Sequence, residues 1–134
     1  MTPRENLYYA IGELAYAVAR ADGQVQEAER RKFHDIVTGE LGKKDGSVDV
    51  SEIIFKLMDK RGSTDSATTY DWAMNEIVTN SHYLSPAMKQ KFIRVIERIA
   101  EAYPPVTPDE ERIINRFKTD IGPLEGDPIY YNGR

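Results

Sequence analysis

The sequence contains no cysteine, so neither a disulfide nor a thiolate metal site can form within it. It has no basic excess either: 18 lysines and arginines stand against 22 aspartates and glutamates, a net charge of −4. That balance argues against nucleic acid as a partner, because nothing in excess neutralises phosphate charge. No apolar run approaches the roughly 20 residues of a membrane span. The first residues, Met1-Thr2-Pro3-Arg4-Glu5, form no apolar leader. A cytoplasmic protein without membrane insertion is therefore the expectation. The two histidines, His34 and His82, have no His or carboxylate three or four residues on, so no zinc pattern is present. No serine sits in a nucleophile elbow, and no glycine-rich loop could cradle a phosphate. Without a triad, a zinc motif or a cofactor loop, the chain is not expected to be an enzyme.

What is present is the make-up of a soluble globule. A chain of 134 residues, 40% hydrophobic and 30% charged, suffices for one domain with a real core. No segment alternates with period two, and the apolar residues recur at helical spacing instead. Thr2-Pro3-Arg4-Glu5 is a capping box that opens a helix to about Arg20, with Leu7, Ile11, Leu14, Ala15 and Val18 on one stripe. A second helix, residues 27–41, turns Phe33, Ile36, Val37 and Leu41 inward, and Gly42 stops it. Asp49-Val50-Ser51-Glu52 caps a short third helix carrying Ile53, Ile54, Leu57 and Met58, with Val48 and Ile53 as a staple. A fourth, residues 67–81, is expected to face Tyr70, Trp72, Ala73 and Ile77 to the core. Ser85-Pro86 opens the fifth, whose stripe is Met88, Phe92, Val95, Ile96 and Ile99. The sixth, residues 108–121, turns Ile113, Ile114, Phe117 and Ile121 inward and stops at Gly122-Pro123. The fold class is all-α: a compact bundle of about six helices over residues 1–122, with a tail at 123–134.

The first two helices meet at Ala19-Arg20-Ala21-Asp22-Gly23-Gln24-Val25-Gln26-Glu27-Ala28-Glu29. Gly23 tolerates the left-handed backbone found just past a helix end, and Asp22 suits the turn. Gln26 is placed as the N-cap of the next helix, with Glu29 three residues on. Near the other end of the chain, Val106-Thr107-Pro108-Asp109-Glu110 repeats this grammar. Ala100, Ala102, Val106 and Glu110 match Ala19, Ala21, Val25 and Glu29, while Tyr103-Pro104 replaces Asp22-Gly23. The bundle thus contains a degenerate internal helix-turn-helix repeat.

These residues, from Ala19 to Glu29 and again from Ala100 to Glu110, resemble the TerB-like family, named for a bacterial tellurite-resistance protein. The resemblance spans roughly residues 7–122. It implies an all-helical bundle with acidic residues at the helix junctions that bind a divalent metal, in a bacterial stress or chemical-defence system and without enzymatic activity. Asp22 and Glu29 would be the metal residues, with Glu110 contributed by the second copy. Calcium, zinc or manganese could fill such a site. The Tyr103-Pro104 replacement removes one expected ligand from that copy.

A conventional EF-hand is excluded. Asp22, Gly23, Val25 and Glu29 fit its later positions, and so do Asp45, Gly46, Val48, Asp49 and Glu52. Its early carboxylate positions hold Val18 and Arg20 in one case, Leu41 and Lys43 in the other. The same acidic residues also read as helix architecture, Asp22 bonding the turn and Glu29, Glu52 and Glu110 completing caps. The alternative function is a metal-free protein-interaction module. Its contact surface would be the tyrosine-bearing tail or an exposed Tyr8, Tyr9 and Tyr16 patch, against a protein partner whose identity the residues do not specify.

Overall fold

The computed structural model describes residues 2–19, 27–41, 66–102 and 107–132. Most of those residues are helical, with no strand among them. Helix α1 spans Pro3–Ala19, α2 Glu27–Leu41, α3 Ser66–Thr79, α4 Pro86–Ala102 and α5 Pro108–Ile121. A 3-10 turn, Ser81–Tyr83, links α3 to α4, and a short helix α6, Pro128–Tyr131, lies in the tail. The expected third helix and its Val48–Ile53 staple lie outside the described residues.

Capping chemistry sets the helix starts where the sequence places it. The Thr2 Oγ1 accepts from the Glu5 N–H at 3.1 Å, and Glu5 Oε1 accepts from the Thr2 N–H at 2.9 Å. Ser85 Oγ accepts from the Met88 N–H at 3.1 Å. Pro3, Pro86 and Pro108 each stand first in their helices, where a missing N–H costs nothing. At the end of α5, Gly122 keeps right-handed helical geometry (φ −50, ψ −51), and Pro123 ends the run. Lys89 Nζ then donates to the Gly122 and Leu124 carbonyls at 2.6 and 2.9 Å, tying the segment just past α5 to the first turn of α4.

Helix α1 is the centre of the bundle. An amphipathic helix was expected, but residues 10–19 are all buried, charged Glu13 included. A helix covered on every side belongs inside a domain rather than on its surface. Helices α2, α3, α4 and α5 all pack on α1, with α3 making the most extensive contact. The stripe of Leu7, Ile11, Leu14, Ala15 and Val18 is fully buried within this larger interface. Tyr8 meets Phe92 of α4 edge-on at 6.0 Å, and Tyr16 meets Phe33 of α2 at 6.3 Å.

Of the other core expectations, Leu41's side chain lies outside the described atoms, and Trp72 departs from what was expected. Phe33, Ile36 and Val37 of α2, all five stripe residues of α4, and Phe117 and Ile121 of α5 are buried. Ile113 and Ile114 are partly buried against the same core. On α3, Tyr70, Ala73 and Ile77 face inward, but Trp72 is 38% exposed. Met74, four residues after Tyr70, takes the inward place that Trp72 was assigned. The Tyr70 hydroxyl donates to Asp120 of α5 at 2.6 Å, and the Arg116 guanidinium lies 4.3 Å from the Tyr70 ring centre. Arg116 also bonds Asp71 at 3.0 Å, so α3 and α5 are joined by side chains.

Two outcomes test this packing. Ala15→Leu should destabilise the protein by about 1–3 kcal/mol in urea unfolding, because no wall of α1 is free to take the extra volume. Wild-type stability in that variant would contradict the central placement. The second concerns alkaline pH. Burial raises the Tyr70 pKa, and the bond to Asp120 raises it further. A raised folded-state pKa gives stability that is complete below about pH 10, the unfolded value, and is lost as pH rises beyond it. The urea midpoint should fall above pH 10 in the wild type and fall less in Tyr70→Phe. Equal slopes would remove Tyr70 from the account.

Candidate functional site

Ring contacts and hydrogen bonds fix how the helix ends assemble. Tyr8 and Phe92 lie near the starts of α1 and α4 and touch. Near the other ends of those helices, α2 bridges the pair: Phe33 contacts Tyr16 of α1, and Lys32 Nζ donates to the Ala102 carbonyl of α4 at 3.2 Å. Helices α1 and α4 therefore run parallel, with Ala19 and Ala102 at the same end of the bundle. The start of α2 lies there too, because Lys32 is in its second turn. Helix α5 also starts there, since the four residues 103–106 bridge no more than about 18 Å.

This arrangement has an approximate two-fold character. The hairpin of α1 and α2 is matched by that of α4 and α5, and the second helix of each packs on the first helix of the other. The internal repeat in the sequence is thus echoed in the packing of these four helices, and the described helix ends that flank both copies of the turn lie at one end of the bundle. Two helix C-termini, offering carbonyl oxygens, and two N-termini, offering N–H groups, meet at one end.

Each predicted metal residue can now be placed. Asp22 lies outside the described residues. Glu29 is the third residue of α2, which begins at Glu27 as expected; its side chain lies outside the described atoms. Glu110 is the third residue of α5 and is 1% exposed. Its Oε1 accepts from the Thr107 N–H at 3.5 Å and from the Thr107 hydroxyl at 3.3 Å. In return Thr107 Oγ1 accepts from the Glu110 N–H at 3.1 Å. One oxygen of Glu110 is therefore a cap before it can be anything else. Among the described residues no group of three or more His, Asp or Glu is arranged to hold a metal ion.

One residue at this end was not singled out from the sequence. Glu13 is 4% exposed, six residues before the end of α1. Its signal was legible as a single acid within the apolar and small residues from Ala10 to Ala19. A buried carboxylate needs compensating donors or positive charge, which makes it costly as mere structure.

The model of one family, Tellurite resistance protein TerB, matches residues 9–122, most of the chain. The chain belongs to the TerB family. Comparison with curated proteins and with solved structures gives no match. The TerB match covers α1 to α5 apart from the first residues of α1, and it ends at Gly122, just beyond α5. The short helix α6 lies outside it. Among the described residues no helix is long and apolar enough to cross a membrane.

Tyr8, Tyr9 and Tyr16 do not form the exposed patch that was expected of them. Tyr16 is buried, and Tyr8 and Tyr9 are half-buried against the core. Desolvation accordingly raises the pKa of both Tyr8 and Tyr9.

The capping role of Glu110 is open to test. Thr107→Ala should cost about 1 kcal/mol in urea unfolding through loss of the box. An unchanged midpoint would mean that the start of α5 is held by other means.

Proposed function

We propose that this TerB domain is a non-enzymatic divalent-cation binder acting in a bacterial stress or tellurite-resistance-type assembly. The cation would sit at the end of the bundle where the two junctions meet. The observation that carries this reading is the parallel pairing of α1 and α4, which brings both copies of the repeat to one place. Asp22 and Glu29 supply carboxylates from one junction, and Glu110 supplies its second oxygen from the other. Calcium and its relatives take six or more oxygens, so backbone carbonyls and water would complete the shell. Binding would stabilise the junction end and present it to a protein partner.

Calorimetric titration of the metal-stripped protein with calcium, zinc and manganese tests this. The expected result is saturable binding of one of them, weakened roughly tenfold or more (about 1.4 kcal/mol) in Asp22→Asn/Glu29→Gln. Unchanged affinity in the double variant would overturn the site.

A metal-free interaction module is the second reading. Ile129, 77% exposed on the tail, is the observation that favours it. In that case a partner would bind metal-stripped protein as tightly as metal-loaded protein, and Ile129→Ser would weaken the complex.

A further inference from the structure

The tail beyond the TerB match is docked on the bundle, and the way it is held differs from the rest of the fold. Asp127 N–H donates to the His82 carbonyl at 2.9 Å. The Asp127 carboxylate caps α6 by accepting from the Ile129 N–H at 2.9 Å. The Tyr130 ring stands 4.8 Å from the His82 ring and 5.3 Å from the Tyr83 ring, while His82 and Tyr83 are themselves 4.7 Å apart. Arg4 Nη2 donates to the Tyr131 carbonyl at 3.0 Å, tying the tail to the first turn of α1.

Gly126 permits this contact. A Cβ there would fall on the Leu84 carbonyl oxygen and come within 2.8 Å of both its carbon and Tyr131 Cδ2. Backbone meets backbone at that point, so no side-chain rotation relieves the clash. Beyond Leu124, which is partly buried against the core, little apolar surface is committed in return. No residue of α6 is buried, Ile129 is 77% exposed and Tyr130 is 45% exposed. A segment held by a few hydrogen bonds and ring edges, with few buried apolar contacts, opens at lower free energy than a core helix.

We propose that residues 124–132 form a detachable clasp, docked in cis on an aromatic face made by His82 and Tyr83. Its release leaves the TerB bundle folded and uncovers that face together with the His82 carbonyl. The exposed face takes a segment offering a backbone N–H and, three residues later, an aromatic ring, as Asp127 and Tyr130 do. The clasp lies at the start of α1, and Ala19 and the capped Glu110 lie toward its end. With 17 residues in α1, the two are separated by about 25 Å.

The test uses the full-length chain carrying Gly126→Val, which expels the clasp by the clash at Leu84. In NMR spectra, His82, Tyr83 and Leu84 should shift, together with Arg4 and Lys89, while the resonances of α1 and α4 beyond their first turns stay in place. A synthetic peptide of residues 123–134, added at millimolar concentration, should move those shifts back toward wild type. Collapse of α1 and α4 along with the tail would overturn the proposal, because the tail would then be part of the cooperative core. Unmoved His82 and Tyr83 signals, or no response to the peptide, would overturn it equally. In the unaltered chain the Asp127 amide should exchange with deuterium while Val95 and Ile96 remain protected. Exchange of all three at one rate would contradict a separable clasp.

Discussion

The rest of the structure depends on the burial of α1 on every side. A helix without a solvent face cannot be stabilised by its own amphipathicity; its neighbours must enclose it. Alanines 10, 15, 17 and 19 and Gly12 keep its girth small, so four helices can approach. The larger side chains set register: Tyr8 against Phe92 and Tyr16 against Phe33. Those ring contacts, with Lys32 of α2 donating to the Ala102 carbonyl, make α1 and α4 run parallel, so that Ala19 and Ala102 lie at the same end.

That constraint gives the molecule two ends of different character. At one, the ends of α1 and α4 and the starts of α2 and α5 come together, with buried Glu110 engaged in a cap and buried Glu13 further along α1. At the other, the 3-10 turn after α3, the end of α5 and the first turn of α1 are held together by Lys89, Arg4 and the tail. The first end carries the residues of the family resemblance. The second is built partly from residues outside the TerB match, and its contacts are backbone bonds and ring edges rather than buried aliphatic packing.

Local signals were the most legible in the sequence. The boxes at Thr2 and Thr107, the cap at Ser85 and the leading prolines determined where helices begin, because capping involves atoms within three residues of each other. The stripe of α4 was read correctly because that helix buries one face and leaves the other exposed. Helix α1 was read as amphipathic because its small residues look neutral in a periodicity argument, although they are what admits neighbours on all sides. Trp72 was assigned inward on hydrophobicity alone, whereas Met74 occupies the core-facing place. The repeat was legible, but not that its two copies lie together, since that follows from contacts such as Lys32 with Ala102, seventy residues apart. The manner in which the tail docks was not legible, because it rests on the missing side chain of Gly126 and on main-chain atoms.

The central claim is that both junctions form one cation-binding end of the bundle. Paramagnetic broadening by manganese, titrated into metal-stripped protein at substoichiometric amounts, tests it most directly. Amide signals of Ala19, Ala102 and Glu110 should broaden together, while those of Tyr83 and Tyr130, about 25 Å away along α1, stay sharp. Broadening confined to the Tyr83 end, or the same weak broadening on every exposed acidic residue, would contradict the claim.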